Sequence, residues 1–439
     1  YGRRPVLITG LLGFAAASAV GAVCSGVGQL IAVRLVMGMF AAMIFPTTLS
    51  IITNAYPDRR QRATAIGVWG AVVGVGVAVG PVCGGLLLEH FWWGSVFLAL
   101  VPVALVTAGL AALLVPESRD PAAPGVDVRG VLSASATVGT LVYTIIEAPH
   151  RGWHAPVTIA GFSLTLLLAA VFVAVEQRAA APMLDLSVFR QRAFSAASGS
   201  VTVAFFALFG FIFLVTQYFQ LVRSYGALAT GVRILPVAGS IALGATLGPL
   251  LVARAGTRAV VMAGLGMLGG SFAWIAVSPT FMSYGVIACQ MVLMGVGLGL
   301  AQVPATDSIL SVLPPAKAGV GSAINDATRE TGGTLGVAVV GSVYASIFAG
   351  HLGGSAFAGL PASVVAQAKS SLASALGIAH QTGDPALLHA AQSSFMAAFH
   401  TGCVVGAVVC WGGALLAAFL PGRTTAPATE PLPQEPALV

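Results

Sequence analysis

The chain has 439 residues, of which 57% are hydrophobic and only 8% charged, with a formal net charge of +6. A soluble domain carries about 25% charged residues, so this composition excludes a water-exposed globule and makes lipid the solvent. The basic residues form no patch interleaved with aromatics, which argues against a nucleic-acid partner.

Apolar runs of about 20 residues cross a bilayer as helices, because backbone groups in lipid must be satisfied internally. Twelve such runs occur, at 5–24, 29–52, 63–88, 95–115, 131–147, 156–176, 195–218, 229–252, 258–277, 282–305, 322–349 and 396–420, the run at 131–147 being the shortest. With the first residues in the cytoplasm, fourteen Lys and Arg residues fall on inner segments and four on outer ones (Arg151, Arg223, Arg233 and Lys369). Arg34 and Arg329 remain, in or near spans. The bias obeys the positive-inside rule, and a wrong span count would scramble it.

In chain order, the sequence opens on YGRRP, a charged turn leading into the first span. Arg34 follows in QLIAVRLVMG, either reaching the outer interface or facing a polar cavity, with Gly38 one turn on. A charge at the bilayer centre costs roughly 3 kcal/mol or more. The third span carries Gly76, Gly80 and Gly84 at a spacing of four, a small-residue face suited to close helix packing in lipid. Within it, Pro81 removes a helix hydrogen bond and predicts a kink. Phe205, Phe206, Phe209, Phe213, Gln217 and Tyr218 share one later span. They are candidates for stacking and cation–π contact with flat lipophilic cations, or for lipid-facing packing. The outer segment 350–395 contains PASVVAQAKSSLASALG, of helical periodicity, and Asp384-Pro385, the start signal of a second short helix. The proline-rich tail 421–439 is expected to be disordered and cytoplasmic.

The five cysteines (Cys24, Cys83, Cys289, Cys403 and Cys410) lack metal spacing and read as small apolar residues. All seven histidines fall on outer segments or helix ends, and none pairs as HExxH. No metal or cofactor is expected, and no catalytic constellation lies in the spans. Of fourteen acids, ten sit in loops, at helix ends or in the tail, leaving Glu147, Asp307, Asp326 and Glu330. Glu147 and Asp307 lie near helix ends, at the interface or in a cavity. Asp326 and Glu330 are i and i+4 in NDATRETGG, on one helix face, with Arg329 placed to neutralise Asp326. If the helix starts near 331, this triad is cytoplasmic; if it starts near 319, Glu330 lies about 16 Å along the axis.

Three motifs carry a resemblance. YGRRP is similar, through Gly2, Arg3 and Arg4, to the end of the loop motif between helices 2 and 3 of the major facilitator superfamily. RLVMG resembles its R-x-x-x-G helix 4 motif, with Met37 where Gln is usual. GVAVGPVCGG resembles the antiporter signature G-x-x-x-G-P-x-x-G-G throughout, at Gly76, Gly80, Pro81, Gly84 and Gly85. LVARAGTR resembles the second-half copy of the loop motif, with Ala253 in place of its aspartate. Further likenesses across nearly the whole chain point to the fourteen-helix drug:proton antiporter branch.

The resemblance implies an all-α polytopic membrane protein of the major facilitator fold, with twelve of fourteen helices present and two preceding Tyr1. Residues 1–115 would be the rest of the N-terminal bundle (family helices 3–6), 116–193 two central helices (7–8), and 194–420 a six-helix C-terminal bundle (9–14). It further implies a monomer with both ends cytoplasmic in a bacterial inner membrane. Its function would be proton-driven export of amphipathic, often cationic drugs, or of an endogenous antibiotic, lipid or siderophore. The acids matching Asp326 and Glu330 are associated in that branch with recognition of cationic drugs, and the proton is the coupling ion.

Overall fold

The computed structural model describes residues 2–56, 58–117, 127–179, 186–312, 318–353 and 356–422, and the tail expected to be disordered falls almost wholly outside them. Every regular element among the described residues is helical. The helices are α1 (Arg3–Ala22), α2 (Val27–Ala55), α3 (Arg59–His90), α4 (Ser95–Leu98), α5 (Leu100–Leu114), α6 (Val128–Arg151), α7 (Pro156–Arg178) and α8 (Arg192–Gln217). They continue with α9 (Ala227–Ala255), α10 (Thr257–Ala276), α11 (Tyr284–Ser311), α12 (Ala318–Gly353), α13 (Ala362–Ser370), α14 (Leu372–Thr382) and α15 (Pro385–Leu416).

Eleven of the twelve expected spans coincide each with one of these helices, and the span 95–115 with α4 and α5 together. Eleven segments are long and apolar enough to cross a membrane among the described residues. The twelfth span corresponds to α3, 32 residues long, whose described apolar stretch is Val75–His90. The shortest expected span, 131–147, is extended at both ends to 24 residues in α6, begun by Asp127, whose carboxylate accepts from Gly130 N at 2.9 Å.

Two expectations for the outer segment change. The periodic stretch 361–377 is broken in two, because Ser371 turns out of the helix and accepts from Ser374 N to start α14. The helix beginning at Asp384-Pro385 is no separate short helix. Asp384 accepts from Ala386 N at 2.8 Å, Pro385 takes the first helical position, and α15 then runs unbroken to Leu416.

Packing is uneven along the chain. Side chains of α8, α10, α11, α12 and α15 interdigitate around Phe211, Phe272, Met291, Met294 and Phe395, all fully buried. A smaller cluster joins α1 to α5 through Leu7, Leu11, Ala108 and Ala111. Most large side chains of α7, and those along one part of α2 (Val27, Ile31, Leu35, Val36 and Met39), stay exposed, as a lipid-facing surface requires. α3 reaches across to α9, and α6 leans on α12. α12 therefore touches three neighbourhoods: α8 and α15 on one side, α6 on another, and α2 at its edge.

Candidate functional site

The NDATRETGG stretch lies inside α12, which starts at Ala318, so Glu330 sits about 18 Å along the helix axis. The triad is therefore helical rather than a preceding loop. At 36 residues α12 is about 54 Å long, well beyond a hydrocarbon core of about 30 Å. Arg329 Nη1 lies 3.8 Å from Asp326 Oδ1, and both side chains are mostly buried. The same guanidinium stands 4.5 Å from the centroid of the Phe205 ring on α8. Glu330, one residue on, is exposed. Just before the triad, Thr306 of α11 donates to Asn325 Oδ1 at 3.0 Å, which fixes the α11–α12 crossing at this level.

α12 can approach α8 because its contact face is built of glycine. A Cβ at Gly332 would strike the carbonyl of Thr202, and one at Gly336 the carbonyl of Phe206. A Cβ at Gly333 would come within 3.0 Å of the Phe209 ring, and one at Gly341 within 3.4 Å of Phe213. Phe205, Phe209 and Phe213, at a spacing of four, thus form a ladder beside Arg329, Gly333 and Gly341. Gln217, one turn further, turns back onto the carbonyl of Phe213. Tyr218 differs from the expectation: it is 3% exposed, donates to Thr280 O at 2.7 Å and packs on Phe399. It belongs to the interior of the C-terminal helices, because it continues the buried face of Phe211, Leu214 and Val215; a π-turn over Tyr218–Val222 follows.

On the neighbouring side of α8, Leu208, Ile212 and Thr216 line a cavity of about 250 Å³. Its other walls are Val77, Pro81 and Gly84 of α3 and Gly231 and Ile234 of α9. Here the predicted packing face is corrected. Gly76, Gly80 and Gly84 have no neighbouring atom within 4 Å of an added Cβ. The close approach of α3 to α9 runs instead through Gly85, whose Cβ would lie 2.6 Å from Ala227 O, and through Gly231, which abuts the Pro81 carbonyl. Gly84 keeps volume open in the cavity wall, while Gly85 lets two backbones meet. The spacing of Ala227 and Gly231, small residues four apart, is the sequence signal that would have located this partner face.

Of the remaining candidates Asp307 stays near the triad, and the others lie apart from it. Arg34 is exposed, its guanidinium 5.9 Å from the Phe97 ring centroid, and Gly38 is open beside it. Asp307 is exposed next to the Thr306–Asn325 contact. Glu147 pairs with Arg151 at 2.9 Å along α6. Arg3 Nε donates to Ser50 Oγ at 2.8 Å, Arg4 Nη2 donates to Ala112 O, and Gly2 passes close to the Glu117 carboxylate. Gly2, Arg3 and Arg4 thus tie the start of α1 to the ends of α2 and α5. At the turn after α8, Arg223 donates to Tyr225 Oη at 3.2 Å, which lowers the pKa of that phenol. Among the described residues, no group of three or more His, Cys, Asp or Glu side chains is placed to hold a metal ion.

This arrangement has close counterparts. The chain is 34% identical over 346 residues to the multidrug resistance protein Stp of Mycobacterium tuberculosis. It is 31% identical over 347 residues to the tetracenomycin C resistance and export protein of Streptomyces glaucescens. In each case 79% of this chain is covered, and the chain spans 64% of the relative's length. Its fold matches a bacterial homologue of the human lysosomal transporter Spinster, crystallised in an inward-facing and unoccupied conformation. That match has a TM-score of 0.64 at 16% identity, over 95% of this chain and 83% of the other. A family model described as Major Facilitator Superfamily matches residues 1–337. The chain is a multi-pass membrane protein with the major facilitator fold, and it belongs to the Major Facilitator Superfamily.

Proposed function

We propose that this chain exports amphipathic, mostly cationic drugs in exchange for protons, by alternating access, as a member of the fourteen-helix branch. The observation that carries the reading is the placement of Asp326, Arg329 and Glu330 well inside α12, beside the aromatic ladder of α8. A carboxyl group surrounded by apolar residues favours its neutral form, and an arriving cation favours its charged form. Proton and cation then compete for one carboxylate, which is the requirement for exchange. Arg329 is closest to Asp326, so Glu330 is the freer proton carrier. The apolar cavity between α3, α8 and α9 offers room for an aromatic body on the adjacent side of α8. The inner and outer Lys/Arg count supports cytoplasmic ends and a bacterial inner membrane as the site of action.

The relative named for tetracenomycin C export favours a second reading, in which the cargo is an endogenous metabolite such as an antibiotic, lipid or siderophore. Ethidium efflux from vesicles carrying the protein, under an imposed pH gradient, tests the first. Glu330→Gln abolishes gradient-driven efflux while leaving ethidium binding in place. Intact coupling in that variant removes Glu330 from the mechanism. Failure to move any lipophilic cation while tetracenomycin C is exported leaves the second reading.

A further inference from the structure

Arg329 is held in an unusual way. Its guanidinium faces the Phe205 ring at 4.5 Å and the Asp326 carboxylate at 3.8 Å. The second distance is too long for a hydrogen bond. No hydrogen bond fixes the guanidinium among the described residues, so it is held by charge and ring quadrupole alone. An aromatic face with a carboxylate beside it is the pair of groups that an organic cation requires.

We propose that Arg329 is a tethered stand-in for the cargo: it fills a box formed by Phe205 and Asp326, and organic monocations bind by displacing it. This rests on the drug-export reading above and names the cation subsite within it. Phe205 is 7% exposed beneath the guanidinium, whereas Phe209, its neighbour at 6.4 Å, is 40% exposed. The box is thus closed by Arg329 and continues into an open aromatic surface. A cation that carries aromatic rings gains Phe209 as well as Phe205. A small hydrated cation gains neither and does not outcompete the guanidinium. Arg329 therefore sets a threshold of apolar surface below which cations are refused, and its departure leaves Asp326 paired with the cargo, so the site never holds an uncompensated carboxylate.

The test is tetraphenylphosphonium binding to the purified full chain in detergent, by equilibrium dialysis, with thermal melting as a fold control. Removing the competitor in Arg329→Gln tightens binding about thirtyfold, the scale of one desolvated cation–π contact. Arg329→Lys keeps a tethered cation and binds as the wild type does. Phe205→Leu weakens binding to the wild type, and it reverses the gain in Arg329→Gln. Unchanged or weaker binding by a folded Arg329→Gln overturns the proposal while leaving drug export intact. Should Arg329→Gln not fold, wild-type affinity in Phe205→Leu overturns it equally. Absence of binding by the wild type and every variant overturns both readings.

Discussion

Gly231 of α9 lies against the carbonyl of Pro81 of α3, so closely that a side chain at position 231 would collide with that backbone. Four residues along each helix the contact repeats, where Gly85 meets Ala227. Two backbones touching in this way set the width of the cavity beside them. The structure therefore separates glycines that the GVAVGPVCGG motif presents as equals. Gly85→Val overpacks the crossing and destabilises the protein by about 1–3 kcal/mol, with loss of transport. Gly76→Ala meets nothing within 4 Å and is neutral or stabilising by up to about 1 kcal/mol, since alanine is the better helix former. Thermal melting of the two variants in detergent, with vesicle efflux alongside, checks the contrast. Equal effects at both positions refute this assignment of faces.

The α8–α12 crossing makes the same demand at the charged end of the site. Gly336→Val drives its side chain into the Phe206 carbonyl and separates Arg329 from Phe205, four positions before Phe209. The expected loss is again about 1–3 kcal/mol, together with weakened cation binding. A melting temperature and a dissociation constant both at wild-type values would show that the crossing does not position the triad.

Two arginines do matching work in the two halves of the chain. Arg4 donates to Ala112 O near the end of α5, and Arg258 Nε donates to Leu420 O at 2.9 Å, just past α15. Helix C-terminal carbonyls lack intrahelical donors and carry partial negative charge, so a cation satisfies both needs. Arg258→Met keeps the apolar stem and removes the donors. It lowers stability by about 1.5–3 kcal/mol, the range for charge-assisted hydrogen bonds, measured as a fall in melting temperature. An unchanged melting temperature would show that the tether contributes nothing.

Span number and position were legible because an apolar run long enough for a bilayer has one outcome, a helix. The weakest run, 131–147, gained length from Asp127, a cap lying outside the apolar stretch. The start of α12 was not settled by hydropathy: Ala318 to Asn325 is uncharged and helix-compatible but carries no start signal, and the Thr306–Asn325 contact that orders it joins two different helices. The glycine motif showed that close packing exists but not which glycine makes it, since that depends on where α9 crosses. Tyr218 was misplaced because sharing a helix is not sharing a face: it stands about half a turn round from Phe209, in line with the buried Phe211, Leu214 and Val215.

Pro149 inside α6 explains the contact of α6 with α12. Proline has no N–H, so the carbonyl of Ile145, four residues earlier, loses its helical donor. In this structure Ser342 Oγ of α12 donates to that carbonyl at 2.6 Å, in a buried position. A defect in one helix is thus repaired by a hydroxyl on the next, which fixes the α6–α7 pair to the helix that carries Asp326 and Glu330. Ser342→Ala leaves a buried acceptor without a partner and costs about 1–3 kcal/mol. Pro149→Ala restores the N–H within α6, so the same serine mutation made on that background costs less. A double-mutant cycle on melting free energies measures the difference as a coupling of about 0.5–3 kcal/mol, the range for residues in contact. Strict additivity of the two changes would show that Ser342 does not stand in for the missing donor.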